Sequence, residues 1–241
     1  MNTITPFLRT VELKTMSDML DDLEGIRIAN ENRIRSLEQA DIGGEEVDTL
    51  KESLAVLTKQ EEAIIKGLQK SMRRHPLGPW LKAQRGIGEK QGARLLAALG
   101  DPLVNESGDE PVLRTVGHLW AYCGYHVIDG AAPKRARGAK ANWSATAKMR
   151  AFLIAESCVK QPKGSRYRDV YDHARDKYID AVHPVACVRC GPKGKPAEQG
   201  SPLSLGHQHA RALRAVAKSV LEDIWYESLR LHQERDEQIA A

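Results

Sequence analysis

A narrow apolar seam, interrupted once, limits this chain more than any other feature. From Leu13 the apolar positions run Leu13, Met16, Leu20 and Leu23, then Ile34 and Leu37, in steps of three and four, with Arg27 and Asn30 in the slots between. Asp41-Ile42-Gly43-Gly44 breaks the rhythm, which restarts at Val47, Leu50, Leu54, Leu57, Ile64 and Leu68 with Glu61 interrupting it. A seam of this period belongs on helices, and a Gly-Gly break between two such runs predicts an antiparallel helical hairpin of coiled-coil type. Arg27, Asn30 and Glu61 weaken the seam but can fix its register or its partner. The hairpin either packs only within its own chain or, as a seam so narrow and long suggests, forms a homodimer through residues 13–68. His75-Pro76-Leu77-Gly78-Pro79 ends the second helix, because proline cannot continue it and restricts its predecessor. The expected division is a hairpin over 1–75 and a second domain over 76–241.

The second domain opens on Arg85-Gly86-Ile87-Gly88-Glu89-Lys90-Gln91-Gly92-Ala93-Arg94. A short helix, a tight Gly86-Ile87-Gly88 turn and a second helix read as a helix-hairpin-helix motif. The turn's backbone N–H groups, at a helix start, make a seat for a phosphate, with Lys90 and Arg94 one turn apart beside it. The plainer reading is an αα-corner whose glycines serve packing.

Asp101 to Pro111 reads as a polar loop, and Thr115 to Val127 as a helix turning at Gly124 into an extended piece. Trp120, Tyr122 and Tyr125 are expected in the core, and His118 and His126 are expected to be structural. Between Gly130 and Glu156 there are six Lys/Arg (Lys134, Arg135, Arg137, Lys140, Lys148 and Arg150) and no acid. This basic loop leads to Ser144, a suitable N-cap for a helix from Ala145 to Cys158, and a loop joined to a helix start suits a phosphate backbone. Tyr167 to Val182 is expected to be helical, with Asp169, Asp172 and Asp176 in ordinary surface pairing with Arg168, Arg175 and Lys177. His207 to Glu234 has the stripe of a long amphipathic helix.

Cys187-Val188-Arg189-Cys190, a Gly/Pro-rich stretch and then His207-Gln208-His209 carry metal-ligand chemistry. A Cys-x2-Cys turn sets two thiolates at one corner of a tetrahedron, for which structural Zn2+ is the usual occupant, and His207 and His209 would complete it, with His183 as a substitute. The insert spans 183–209. The single residue between His207 and His209 is tighter than the common spacing, and the alternative is a loop with two free thiols.

The fold class expected is mostly α: the helical hairpin, then a helical domain with the helix-hairpin-helix motif and a small zinc loop. Charge supports different duties for the two parts. Residues 1–75 carry 11 Lys/Arg against 14 Asp/Glu, and the remainder carries 25 against 18, so the net charge of +4 is concentrated after the hairpin. That asymmetry points to a polyanionic partner for the second part. With no apolar run of membrane-spanning length and no signal-peptide core at the N-terminus, no membrane partner is expected and the compartment expected is cytoplasmic.

Several segments, in order, resemble a known family. Arg85-Gly86-Ile87-Gly88, Leu95-Leu96-Ala97-Ala98-Leu99-Gly100-Asp101-Pro102, Leu119-Trp120-Ala121-Tyr122-Cys123-Gly124-Tyr125, the basic loop before Ser144 and Lys148-Met149-Arg150-Ala151-Phe152-Leu153 resemble the C-terminal domain of a family of bacterial insertion-sequence transposases. These are serine-dependent, RNA-guided DNA recombinases with a resolvase-like N-terminal domain, joined by a coiled coil to a helix-hairpin-helix domain that bears the nucleophilic serine. The resemblance covers roughly residues 10–155. It implies DNA recombination or transposition, with DNA and possible RNA partners. Nothing here corresponds to the N-terminal domain, and Asp129-Gly130 stands where the family has Ser-Gly. A carboxylate cannot form a phosphoserine-type link, and Ser144 is the nearest hydroxyl.

The leading expectation is therefore a dimeric DNA-binding protein, not catalytic alone, gripping phosphates through Gly86, Ile87, Gly88, Lys90, Arg94, Lys134, Arg135, Arg137, Lys140, Lys148 and Arg150. The alternatives are a recombinase subunit completed by a separate catalytic domain or guide RNA, and a coiled-coil scaffold protein.

Overall fold

The computed structural model describes residues 7–106, 108–128, 130–134, 137–192 and 195–240. It is mostly helical: α1 (Val11–Gln39), α2 (Glu45–Arg74), α3 (Gly78–Ala83), α4 (Glu89–Leu99), α5 (Val116–Tyr122), α6 (Ala145–Val159), α7 (Arg166–Lys177) and α8 (Leu205–Ala240). One short antiparallel pair, β1 (Val104–Asn105) with β2 (Val112–Leu113), lies in the stretch whose polarity predicts only a loop. No helix among the described residues is long and apolar enough to cross a membrane.

α1 and α2 form the hairpin that the seam predicts, turning through Asp41 (φ +56°) and Gly44 (φ +122°). Acidic side chains in the first turn of α2 and Arg73 and Arg74 in its last match the helix dipole. The seam's polar interruptions meet each other: Arg27 Nε donates to Glu61 Oε1 at 2.7 Å, with Glu61 almost wholly buried. Pairing across the seam makes any register slip leave a carboxylate buried alone, so this contact fixes how the two helices align.

The base of the hairpin is continuous with the core of the second half of the chain. Leu13, Leu20, Leu68 and Met72 belong to the same hydrophobic cluster as Leu81, Leu96, Ile154, Val216 and Leu221. α8 is the spine of this core, burying Leu213, Val216, Val220, Leu221 and Ile224 against α5, α6 and α7. Arg214 and Lys218, which the sequence puts outside the buried stripe of α8, are fasteners. Arg214 donates to the carbonyls of Tyr125 and His126, and Lys218 lies 3.6 Å from the centre of the Trp120 ring. A further clasp closes the far end, where the buried Asp101 carboxylate accepts the N–H groups of Phe7, Leu8 and Leu103 and pairs with His232 at 2.8 Å.

The Gly86-Ile87-Gly88 turn forms between α3 and α4, with Ile87 turned into the core and Gly88 open to solvent. Ile87 is buried, and Gly86 takes φ +95° with α6 so close that an added Cβ would lie 2.8 Å from Cys158 Cα. Gly86→Ala is expected to lower stability by about 2–4 kcal/mol, from both backbone strain and the clash. Gly88→Ala, at φ −71° with open space, should change it by less than about 1 kcal/mol. Denaturant unfolding of the two variants checks the contrast, and equal losses would contradict it.

Candidate metal centre and cationic face

The cations beside the turn are engaged within the molecule. Lys90 Nζ donates to Glu24 at 2.6 Å, Arg94 forks onto the same carboxylate at 2.9 and 3.1 Å and also pairs with Asp21, and Arg150 reaches Asp21 at 2.6 Å. Arg94 and Arg150 are buried. Burial, then the neighbouring Arg150 charge, pulls Arg94 down to about 10, which leaves it charged at neutral pH and dependent on the two carboxylates. At the start of α4 the seat beside the turn is flanked by Glu89, whose own carboxylate is held by Arg73 at 2.5 and 2.7 Å. Periodicity cannot show this, because Asp21 and Glu24 lie some seventy residues or more before Arg94 and Arg150.

The rest of the basic set sits elsewhere. Gly86 abuts Cys158 at one end of α6, whereas the basic loop enters at Ser144 at the other end, and 15 residues of helix separate them by about 21 Å. Lys134, Arg137 and Lys140 are exposed, Arg135 lies outside the described residues, and Lys148 rests over Trp143 at 5.2 Å from the ring centre. Ser144 acts as the cap its position predicts: its hydroxyl oxygen accepts the Ala147 N–H at 3.1 Å. Trp120, Tyr122 and Tyr125 use their polar tips on backbone carbonyls, and His118 completes a capping box with Thr115. Asp172 pairs with Arg168, and Asp169 accepts the Gly164 N–H, so the acids of α7 have ordinary partners.

Between α7 and the first turn of α8 four potential ligands converge. One donor atom each from His183, Cys187, Cys190 and His207 lie within 4.8 Å of one another, and this group could hold a metal ion. His209 is not among them: its Nδ1 is 2.7 Å from the Tyr171 hydroxyl, turned toward α7, and His183 takes the fourth place. His207, in the first turn of α8, brings Nδ1 to 3.4 Å from Cys190 Sγ. The tilted ring of His183 lies 5.2 Å from that of His207. His183 is buried and its Nε2 has no hydrogen-bond partner. His75 and His126 also have an orphaned ring nitrogen, so what singles out His183 is its convergence with two thiols and a second imidazole.

The chain positions these groups through backbone pairing. His183 N–H donates to Ser201 O at 2.9 Å, and Cys187 and Ala197 exchange two bonds at 2.8 and 2.9 Å. The result is an irregular hairpin with the Cys-x2-Cys turn on one limb. Hydrogen bonding from the Arg189 backbone N–H, then from Cys190, holds the Cys187 thiol below its ordinary value, and the Lys134 charge acts in the same direction. Partial burial, then the Arg211 charge, keeps His207 below the usual imidazole range and so neutral with a lone pair at neutral pH. Both shifts favour the metal-binding protonation states. By contrast, burial pushes Cys123 and Cys158 up to about 12, which makes them inert packing groups. Tetrahedral zinc needs donor–donor separations of about 3.3–3.8 Å, and the Cys190 Sγ–His207 Nδ1 pair at 3.4 Å already has one.

Neither protein-family models, nor curated proteins, nor solved structures gave a match to this chain.

Titration with Co2+ is expected to give the intense visible bands of a tetrahedral site with thiolate ligands. Cys190→Ser should abolish them and His209→Ala should leave them in place. Loss of the bands in His209→Ala alone would restore the other histidine as ligand.

Proposed function

We propose that this chain is a DNA-binding protein that grips the phosphate backbone through an exposed cationic face, steadied by a structural zinc ion on His183, Cys187, Cys190 and His207. What supports the reading is a set of exposed cations on the acid-free basic loop and on the Cys/His segment. Lys134 of the acid-free loop lies within electrostatic reach of Cys187, and Arg189 and Arg211 lie within reach of His207. Lys134, Arg137, Lys140, Arg189 and Lys195 are exposed. Cations gathered around a loop and a helix start match the demands of a phosphate backbone better than those of base edges, so selectivity for sequence should be weak.

The zinc assignment rests on donor chemistry. Two thiolates and two imidazoles make a closed set with no position left for substrate, the pattern of structural sites. The irregular segment that carries them buries little apart from His183 and Leu203, while Ile179, Val185 and Val188 are exposed. Fixing each backbone residue costs about 1–2 kcal/mol, and little apolar burial offsets it, whereas a structural zinc site contributes about 10–16 kcal/mol.

The resemblance to the serine-dependent transposases supports DNA as the polyanion. Asp129 lies outside the described residues, and Ser144 is occupied as a helix cap, so the reading is of a binding protein that does not cleave by itself. A second copy is the proposed partner of the hairpin. Away from the base, Ile26, Leu50 and Val56 are exposed, and Leu54 and Leu57 are only half-buried.

Affinity for a random-sequence duplex should fall steeply with salt. Replacing Lys134, Arg137 and Lys140 together by Ala should reduce the slope of log K against log salt by about 3. Affinity that ignores ionic strength, or an unchanged slope in the triple variant, would rule the reading out. Equilibrium sedimentation should find a dimer that Leu50→Glu with Val56→Glu converts to monomer, whereas a monomeric unaltered chain would remove the second copy.

A further inference from the structure

Residues on the metal-binding segment and residues on the helical core contribute to the cationic face by different means. Lys148 stands in the first turn of α6, anchored by the Ser144 cap, and Arg211 lies on α8 against the Tyr178 ring at 5.4 Å. Both are positioned by helices whose buried faces belong to the main core. Arg189 and Lys195 have no such support. Arg189 lies inside the Cys-x2-Cys turn, and Lys195 follows on the same irregular hairpin, its N–H bonded to Pro192 O at 2.9 Å. The apolar side chains of that segment point to water: Val185 is 66 % exposed and Val188 is 81 % exposed. Among the described residues, its geometry therefore rests mainly on local hydrogen bonds and on whatever joins His183, Cys187, Cys190 and His207.

We propose that nucleic-acid binding by this chain is metal-dependent, a divalent ion at His183, Cys187, Cys190 and His207 holding Arg189 and Lys195 in the cationic face. This rests on the reading of the chain as a DNA-binding protein and adds its regulation: the face is complete when the site is loaded and partial when it is stripped. The cations on the helices persist in the stripped form, so binding should weaken without vanishing.

The test uses the full chain loaded with one equivalent of Zn2+ and a labelled random-sequence DNA duplex. Stripping the ion with a chelator should lower affinity by about tenfold or more and flatten its salt dependence by about 2, the contribution of two phosphate contacts. The helical circular dichroism should be unchanged, and readdition of Zn2+ should restore binding. Arg189→Ala with Lys195→Ala should reproduce the loss while retaining the ion, and His209→Ala should behave as the unaltered protein. Unchanged affinity after stripping overturns the metal dependence and leaves the DNA reading intact. Collapse of the helical signal on stripping also overturns it, because the ion would then support the whole fold. No binding by the loaded protein sinks the DNA reading itself, and failure to retain Zn2+ sinks the metal centre.

Discussion

Two buried arginines hold the arrangement together. Arg94 on α4 and Arg150 on α6 share Asp21 of α1, and Arg94 also takes Glu24 with Lys90 beside it. Three helices that are distant in sequence are thereby pinned at one point. Taking guanidinium groups out of water is costly, and only paired carboxylates in close geometry offset it. The cluster tolerates few alternatives: the hairpin must present Asp21 and Glu24 to α4 at one height, and α6 must lie where Arg150 can reach. The adjacent apolar residues, Leu20, Leu68 and Leu96, supply the attraction, and the ion pairs supply the alignment.

This cluster changes what the helix-hairpin-helix motif means here. What the structure does show is a turn between α3 and α4 with Gly86 at positive φ and Ile87 buried. Its orientation was not legible in the sequence, because the decisive partners belong to α1. Gly86 is spent on a close approach to Cys158, Ile87 on the core, and Lys90 and Arg94 on internal carboxylates. The αα-corner reading of the same residues describes their contacts better than the phosphate seat does. The hairpin was legible in more detail, since the polar interruptions Arg27 and Glu61 prove to be each other's partners.

The Cys/His group shows the complementary limit. Local spacing located Cys187, Cys190 and His207, and favoured His209 because it is next along the chain. Helical geometry works against that choice: residues two apart on a helix point in markedly different directions, so His207 and His209 cannot both face the same thiols. His209 finds Tyr171, and the fourth donor comes back from His183 across the irregular hairpin. The Val104–Leu113 pairing escaped notice for another reason, being only two residues on each strand.

The carboxylate of Asp101 gives the molecule a mechanical character. It grips the backbone at residues 7 and 8 on one side and the His232 ring on the other. Tension applied between those two points therefore loads a single acidic side chain that bridges the backbone before α1 to α8. The Phe7 ring, edge-on to His232 and under Arg235, shares that load, so the segment before α1 and the last turns of α8 are tied to each other through one small cluster.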